Sequence, residues 1–447
     1  MTRKPMPATM GTAPELSPKS PSISFYTFGC RLNQSETAVI ENSFSAVGYR
    51  VVNFPEPADI VVVNTCTVTE NGDADTRKLV KRINRTNPNA RIALVGCQAQ
   101  MQKEILKDLP NVKWVVGNAR KMELAAILAE PQGDATQVIV PTIPRDSFTI
   151  PLTSIDSKRT RANIKIQDGC DFFCSFCEIP YARGRARSRV FDDILKESKQ
   201  LVEAGYKEII LTGINLGTYT HDAQTFLDVI DALEQIDGLK RIRISSIEPT
   251  TIPKELFAKM AKQTKLCRYL HIPLQSGDDE ILKAMKRKYT TSDFLEFVKH
   301  ATATVPQICI GTDVIVGFPG ETDAHFQRTV DFLREAPIRY FHVFSYSNRS
   351  MAKSQHLGGR INPQIIEWRS EILRELSQRK RHVFYDSFVG SNQKVLFEQK
   401  KQGMWQGLTD NYLRVMMKCD QDVNNQMLDV FIEKNEGSHL SGVFKNE

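Results

Sequence analysis

The sequence predicts an α/β protein in three parts: an amino-terminal open parallel α/β sheet, a central partial (β/α)6 barrel, and a small carboxyl-terminal all-β domain. Three observations carry that expectation. From Ser22 to about Val116, short β-branched runs alternate with longer polar-apolar segments, the mark of strand-helix units on a parallel sheet. The alternation lapses through a stretch holding Pro131, Pro141, Pro144 and Pro151, then resumes for six more strands. From about Asp386 onward, short strand-like runs follow one another with no helical period.

Taken in order, residues 1–20 are rich in Pro, Ser and Thr and lack the apolar run of a secretory signal, so they read as a disordered tail. The amino-terminal domain, 21–130, has strands expected over 24–28, 59–64 and 91–95 and helices near 36–47, 73–84 and 101–108. Residues 131–159 read as a linker. In the central domain, 160–385, strands are expected at 162–167, 208–212, 241–245, 269–274, 311–316 and 340–346. Helices are expected at 192–204, 254–262, 279–286 and 323–335, and a charged helical segment, 363–385, closes the domain. The last domain, 386–447, shows strands near 394–398, 412–417 and 428–433.

No run of about eighteen apolar residues occurs, so no membrane span is expected and the cytoplasm is the expected compartment. In a reducing compartment nine cysteines are not a disulfide framework, which leaves metal ligation or burial to explain them. A formal charge of +7 gives modest affinity for polyanions, whose strength depends on how Lys and Arg cluster.

Each of the three amino-terminal strands runs directly into a cysteine, in Phe28-Gly29-Cys30, Asn64-Thr65-Cys66 and Val95-Gly96-Cys97. Parallel strands of an open sheet end on a common edge, where such sheets place their ligands. Three cysteines far apart in sequence can therefore converge; the alternative is three buried packing thiols. Cys170, Cys174 and Cys177 lie on one short loop after the first barrel strand. Three thiolates there can hold three irons of a [4Fe-4S] cube and leave the fourth open to a cofactor. The competing zinc knuckle wants a fourth ligand, and no nearby His or Cys supplies one. Cys267, Cys309 and Cys419 show no ligand spacing and are expected to pack.

The gaps of three and two residues in Cys170-Asp-Phe-Phe-Cys174-Ser-Phe-Cys177, with an aromatic before the last cysteine, resemble the radical S-adenosylmethionine (SAM) superfamily. The resemblance implies that SAM chelates the open iron and that Phe176 lies beside its adenine. The longer phrase, running on through Glu178-Ile-Pro-Tyr-Ala-Arg-Gly-Arg to Arg189, is similar to the methylthiotransferases, as are Thr27-Phe-Gly-Cys-Arg-Leu-Asn-Gln-Ser-Glu36 and Asn64-Thr-Cys-Thr-Val68. In that family three amino-terminal cysteines hold a second [4Fe-4S] cluster that carries the sulfur to be inserted, a role that falls here to Cys30, Cys66 and Cys97. Glu178 stands where the family pattern has an apolar residue.

Other expectations follow from the resemblance. Gly213, Ser246, Gln275 and Gly317, at barrel strand ends, are expected in the SAM pocket. Arg183, Arg185, Arg187 and Arg189 recur at every second position, as a phosphate-contacting strip or a solvated charged face. Lys286-Arg-Lys288 and the face formed by Lys78, Lys81, Arg82 and Arg85 are further basic candidates. Gly407-Leu-Thr-Asp-Asn-Tyr-Leu-Arg-Val415 resembles the TRAM domain of RNA-modifying enzymes, although acidic residues outnumber basic ones beyond Asp386, so RNA contact there would use Lys400, Lys401 and Arg414.

The wording is most like the branch that methylthiolates C2 of N6-threonylcarbamoyladenosine at position 37 of tRNA. Methylthiolation of N6-isopentenyladenosine, or of a ribosomal-protein aspartate, is the alternative within the family; an RNA-binding iron–sulfur protein is the alternative outside it. The implied reaction uses one SAM as methyl donor and a second as radical source, with tRNA, an electron donor such as flavodoxin or ferredoxin, and a sulfur source as partners. The C2–H bond has no acidic proton at neutral pH, so no general base is expected.

Overall fold

The computed structural model describes residues 20–67, 70–131, 133–151, 153, 155–156, 159–262 and 264–444; all of the expected tail but Ser20 lies outside them. Strands β1 (Ser22–Thr27), β2 (Arg50–Val52), β3 (Ile60–Thr65), β4 (Arg91–Gly96), β5 (Val112–Val116) and β6 (Gln137–Ile139) form one sheet in the order β2-β1-β3-β4-β5-β6. Every neighbouring pair is parallel. β3 reads Ile-Val-Val-Val-Asn-Thr and is buried at every residue, as a strand covered on both faces must be. Ile60 and Val62 face α1 (Arg31–Ala46) and the helix Leu124–Ala129. Val61 and Val63 face α2 (Glu70–Thr86).

β6 lies inside the segment expected as a linker. Three residues flanked by prolines carry no readable period; pairing with β5 (Trp114↔Gln137) is what makes them a strand. β2, also three residues long, escaped the sequence reading for the same reason.

In the central region, β7 (Arg161–Lys165) leads into β8 (Gln167–Asp168), which pairs antiparallel with β9 (Arg187–Ser188). β10 (Glu208–Thr212) pairs parallel with β7, a small hairpin of β11 (Thr220–His221) and β12 (Gln224–Thr225) follows, and β13 (Arg241–Ile244) pairs parallel with β10. A second parallel sheet has the order β14 (Tyr269–His271), β15 (Cys309–Val316), β16 (Tyr340–Ser345). The Ile242↔Leu266 bridge joins the two halves into a six-stranded open arc, with β7 and β16 at its edges. One hydrophobic core runs behind the arc, from Ile164 and Leu211 through Phe257 and Phe294 to Leu333 and Leu373.

The helix Pro363–Asp386 packs on β16 and leads into a closed barrel of β17 (Asn392–Lys401), β18 (Met404–Leu408), β19 (Arg414–Lys418), β20 (Met427–Asn435) and β21 (Leu440–Phe444). This small barrel docks at the amino-terminal ends of the central strands. Arg241 donates to the carbonyls of Leu408 (2.9 Å) and Lys394 (2.7 Å), and Arg243 to those of Asp410 (2.9 Å) and Thr409 (3.0 Å). The carboxyl ends of the arc are thereby left to the cysteine loop.

Candidate functional site

The three strands that lead to Cys30, Cys66 and Cys97 are neighbours, β1-β3-β4, in a register that brings their ends level: Thr27 lies opposite Asn64, and Thr65 opposite Gly96. Cys30 precedes α1, Cys66 follows β3, and Cys97 opens α3 (Cys97–Met101). Asn33 ties the first two turns together through its side-chain amide, which donates to the carbonyls of Phe28 (2.8 Å) and Thr65 (3.1 Å). Gly29 has φ +89°, and a Cβ there would lie 2.8 Å from the Cys66 sulfur, so only glycine lets the Cys30 turn pass this close. The Asn118 amide reaches both the Cys97 sulfur (3.5 Å) and the carbonyl of Ala182 (2.6 Å), just beyond the Cys177 loop.

The second loop leaves β8 through Gly169 (φ +74°), where a Cβ would meet the Arg185 carbonyl oxygen at 2.0 Å. It is pinned by Cys170 N–H to Gly184 O (3.1 Å), Ser175 N–H to Met285 O (3.0 Å) and Ser354 N–H to Ser175 O (2.8 Å). Burial pushes the Cys170 thiol up to about 11, and burial with the neighbouring sulfurs pushes Cys177 up further. Three bare, half-buried thiols would therefore stay protonated at neutral pH, whereas bound cations reverse that balance. N–H donors already point at the sulfurs: Ile179 at Cys177 (3.4 Å) and the Arg287 guanidinium at Cys174 (3.2 Å). Donors aimed at sulfur suit thiolate ligands of an iron–sulfur cluster.

Beside this loop a cavity of about 180 Å³ is lined by Phe176, Gln275, Asp313, Ile315 and Phe344. Gly213, Ser246 and Gly317 follow the ends of β10, β13 and β15 but do not line it. Two of them have packing reasons to be glycine: a Cβ on Gly213 would press Gln167 (3.0 Å), and one on Gly317 would strike Ile366 (2.4 Å).

The alternating arginines do not form a strip. Only Arg187 and Ser188 are strand, so every-second spacing does not put the four on one face. Arg183 and Arg189 are buried: Arg183 bonds Glu36, Asp168 and Asn33, and Arg189 bonds Asp193 and Glu197. Arg187 bonds Asp168 (3.2 Å), and Arg185, about half exposed over Phe173, pairs with Asp171 (3.2 Å). These two buried side chains are thus not phosphate contacts. Arg189 braces the helix Phe191–Glu203 within the central region, and Arg183 serves the interface between the amino-terminal sheet and the barrel.

That interface is a buried ion network. Glu36 meets Lys121 (2.5 Å), Lys165 (2.7 Å) and Arg183 (3.1 Å), and Asp168 meets Lys165 (2.6 Å) and Arg183 (3.0 Å). Burial alone would raise the Glu36 pKa, but the charges of Arg183, Lys121 and Lys165 outweigh it and hold the carboxyl well below its ordinary value. Farther along the same interface Glu178 accepts from Arg349 (3.0 Å), Thr67 (3.2 Å) and the Met351 N–H (3.0 Å), while Arg349 also bonds Asp73 (2.8 Å). Glu178 is therefore an inter-domain anchor, which explains an acidic residue at a position where the family pattern is apolar.

These groups predict a pH dependence. A depressed carboxylate contributes stability that is present above its unfolded pKa, about 4.3 for Glu, and is lost as pH falls toward its folded value. Glu208, held at about 2 against burial by Arg243 and Arg161, adds to the same loss. Stability should thus fall below about pH 4. Glu36→Gln should cost about 3–5 kcal/mol at pH 7 by urea unfolding, because it leaves buried Lys121 with no carboxylate and Lys165 and Arg183 to share Asp168, and its acid slope should be shallower than that of the parent.

Sequence reasoning missed two groups. Arg287, read as part of a basic run, turns inward to Glu248 and the Cys174 sulfur. On the barrel wall Asp313 accepts from His271 (2.9 Å) and His342 (3.2 Å), whose rings stack at 5.2 Å. The signal for this set was one inward position on each of β14, β15 and β16, visible only once their register is known.

On the open flank between β7 and β16 lies a groove of about 670 Å³ whose lining includes Arg161, Arg339, Arg381, Lys401, Tyr412 and Arg414. Arg161 is paired with Glu398. Among the described residues no ion pair joins Arg339, Arg381, Lys401 or Arg414 to a carboxylate. Lys400 lies outside it, over the Trp405 ring and bonded to Cys419 O. Of the remaining cysteines, Cys267 and Cys309 are buried and Cys419 packs on the small-barrel core.

Comparison with known proteins adds to this geometry. The pattern described as the Radical SAM superfamily matches residues 164–333, and that of the Uncharacterized protein family UPF0004 matches residues 22–117. The threonylcarbamoyladenosine tRNA methylthiotransferase MtaB of Aquifex aeolicus (strain VF5) is 38% identical over 404 residues, 90% of this chain and 98% of the relative. Its namesake in Bacillus subtilis (strain 168) is 34% identical, covering 95% of this chain and 96% of the relative. The tRNA-2-methylthio-N(6)-dimethylallyladenosine synthase of Geobacillus kaustophilus (strain HTA426) is 31% identical over 94% of this chain and 82% of its own length. Among solved structures, the radical S-adenosylmethionine methyltransferase TsrM from Kitasatospora setae superimposes with a TM-score of 0.54 at 16% identity, over 73% of this chain and 75% of that one, a likeness of fold alone.

Proposed function

Because this chain belongs to the radical SAM tRNA methylthiotransferases, we propose that it replaces the C2 hydrogen of N6-threonylcarbamoyladenosine at position 37 of tRNA with a methylthio group. It is a transferase that uses SAM and [4Fe-4S] clusters. The observation that carries the reading is the level ends of β1, β3 and β4: three cysteines remote in sequence come to one sheet edge, and Asn118 ties that edge to the loop bearing the other three.

Cys170, Cys174 and Cys177 would hold the cluster that binds SAM, and Cys30, Cys66 and Cys97 the other. When bound, these groups supply a radical able to activate an unacidic C–H bond and a sulfur ready for transfer. The chain's own residues do the rest. Phe176 and Gln275 shape the cavity beside the Cys170 loop, and Gly213 and Gly317 let the turns after β10 and β15 pack closely. Arg287 and Ile179 donate to the Cys174 and Cys177 sulfurs, and the Glu36–Arg183–Asp168 network fixes the distance between the two loops. His271 and His342, held by Asp313, offer polar contacts to a nucleoside on the lumen wall. No side-chain base is required.

Arg339, Arg381, Lys401 and Arg414 would take the tRNA backbone along the flank, which is why a carboxyl-terminal module of acidic composition can still bind RNA. Replacing Arg339 and Arg381 together by Ala should weaken binding to all tRNAs alike and lower the slope of log affinity against log salt by about 1 for each lost phosphate contact, measured by filter binding. A flavodoxin or ferredoxin would supply electrons, and a separate sulfur source would renew the sulfur. The cytoplasm, where tRNA and such reductants are found, is the expected compartment; among the described residues no helix is long and apolar enough to cross a membrane.

Mass spectrometry of tRNA nucleosides from a strain lacking this chain tests the assignment. Loss of methylthio-threonylcarbamoyladenosine, with methylthio-isopentenyladenosine unchanged, is the expected result. The reverse pattern would assign the other tRNA branch.

A further inference from the structure

Arg31 is joined directly to Cys30 and opens α1 at the barrel flank. It lines a cavity of about 370 Å³ with Gln34, Asn163, the pair Arg161 and Glu398 and the pair Arg159 and Asp156, where the amino-terminal sheet, the barrel and the carboxyl-terminal domain meet. The other two arginines there are committed, Arg161 to Glu398 and Arg159 to Asp156. Arg31 forms no ion pair with a carboxylate among the described residues. Its Nη2 donates to the Tyr412 hydroxyl (2.7 Å), its guanidinium lies 5.6 Å from the Tyr412 ring centre, and its Nη1 is buried with no hydrogen-bond partner.

The support behind Arg31 is built with care. Tyr412 takes a left-handed backbone, φ +68°, rare for an aromatic residue, and stacks on Tyr269 at 4.4 Å. The turn that holds it is closed by Thr409, whose hydroxyl accepts from the Leu413 N–H (2.9 Å) and bonds Asn411 (2.6 Å). Strain of this kind persists where the surroundings fix a side chain for a purpose. Here they fix a planar, permanently charged fork beside a cavity, with one nitrogen satisfied by Tyr412 and the other buried without a partner. Such a fork suits an oxyanion, carboxylate or phosphate.

We infer that Arg31 binds the carboxylate of the threonylcarbamoyl substituent and so selects this N6-modified adenosine over one with an uncharged substituent. The inference rests on the proposed substrate branch and deepens it. An isopentenyl group carries neither charge nor hydrogen-bonding atom, so it would leave the buried Nη1 unsatisfied. A site built around a polar contact rejects the analogue that lacks it far more strongly than an apolar pocket rejects a polar one. Because Arg31 adjoins a cysteine of the sulfur-carrying triad, the same contact would orient C2 toward that triad. A backbone phosphate offers similar chemistry, and the test separates the two.

Holoenzyme is assayed on three anticodon stem-loops that differ only at position 37: threonylcarbamoyladenosine, its carboxyl methyl ester, and isopentenyladenosine. The parent should prefer the acid to the ester by roughly 30-fold or more in kcat/KM. Arg31→Gln should bring acid and ester within about threefold through a raised KM for the acid, Arg31→Lys should restore part of the preference, and iron content should show that the cluster survives. Tyr412→Phe, in a different domain from the clusters, should weaken the preference without touching Cys30. Equal turnover of acid and ester by the parent overturns the inference, whatever the variants do. A uniform loss on all three RNAs assigns Arg31 to a phosphate and also overturns it. Failure of the parent to methylthiolate the acid at all, with isopentenyladenosine modified instead, defeats the substrate branch itself.

Discussion

Cys66→Ala should abolish methylthiolation of tRNA while leaving 5′-deoxyadenosine formation from SAM measurable. Cys66 follows β3, the middle strand of the three whose ends meet, with Gly29 packed against its sulfur. Loss of that ligand removes one of three protein attachments and should cost the amino-terminal cluster. The loop of Cys170, Cys174 and Cys177 is held by bonds to Gly184, Met285 and Ser354, all within the central region, so SAM cleavage does not depend on Cys66. Chromatography of both products in one anaerobic reaction reads the two outcomes together. Full transfer by the variant would remove the reason for giving the sheet-edge triad a sulfur-carrying role.

Cys174→Ala should reduce both products to background. Burial raises the pKa of its thiol, the Arg287 guanidinium that addresses its sulfur opposes that rise, and Glu248 is held beyond it. Without that ligand the barrel cluster loses a corner and SAM has no stable iron to chelate, so neither 5′-deoxyadenosine nor product should form. Iron should fall by about four per chain, the content of one cube. Retained SAM cleavage would show that another residue completes the site.

How much of this was legible in the sequence differs from one triad to the other. The Cys170 loop is local, and its spacing carries its chemistry. The Cys30, Cys66 and Cys97 turns could be placed at strand ends because β3 and β4 run straight into cysteine and β1 reaches Cys30 after Phe28 and Gly29. That β1, β3 and β4 are adjacent and level is a property of topology, seen only in the register. The arginines after the loop misled because periodicity implies a face only along a continuous element, and here a short helix, Ile179–Ala182, gives way to a two-residue strand. β18 was missed because Gly407 breaks its pattern; the residue is needed there, since a Cβ would lie 2.5 Å from Leu396 O. The His271–Asp313–His342 set and the setting of Arg31 against Tyr412 depend on contacts between remote segments, which no window of sequence contains.

The departures from the family wording were informative in their own way. Glu178 proved to be the acceptor that joins Arg349, Thr67 and Met351. The acidic carboxyl-terminal composition coexists with a basic groove because Lys401 and Arg414 meet Arg339 and Arg381 across a domain boundary, a charge distribution that a count over one domain cannot register.

The central claim, that two cysteine triads hold two clusters with separate duties, is tested most directly by iron content and SAM cleavage in three anaerobically reconstituted proteins. The parent should bind about eight irons per chain, and the triple alanine variants of Cys30, Cys66 and Cys97 and of Cys170, Cys174 and Cys177 about four each. Only the first of these variants should still form 5′-deoxyadenosine. Four irons in the parent, all lost with the Cys170 triad, would contradict the claim.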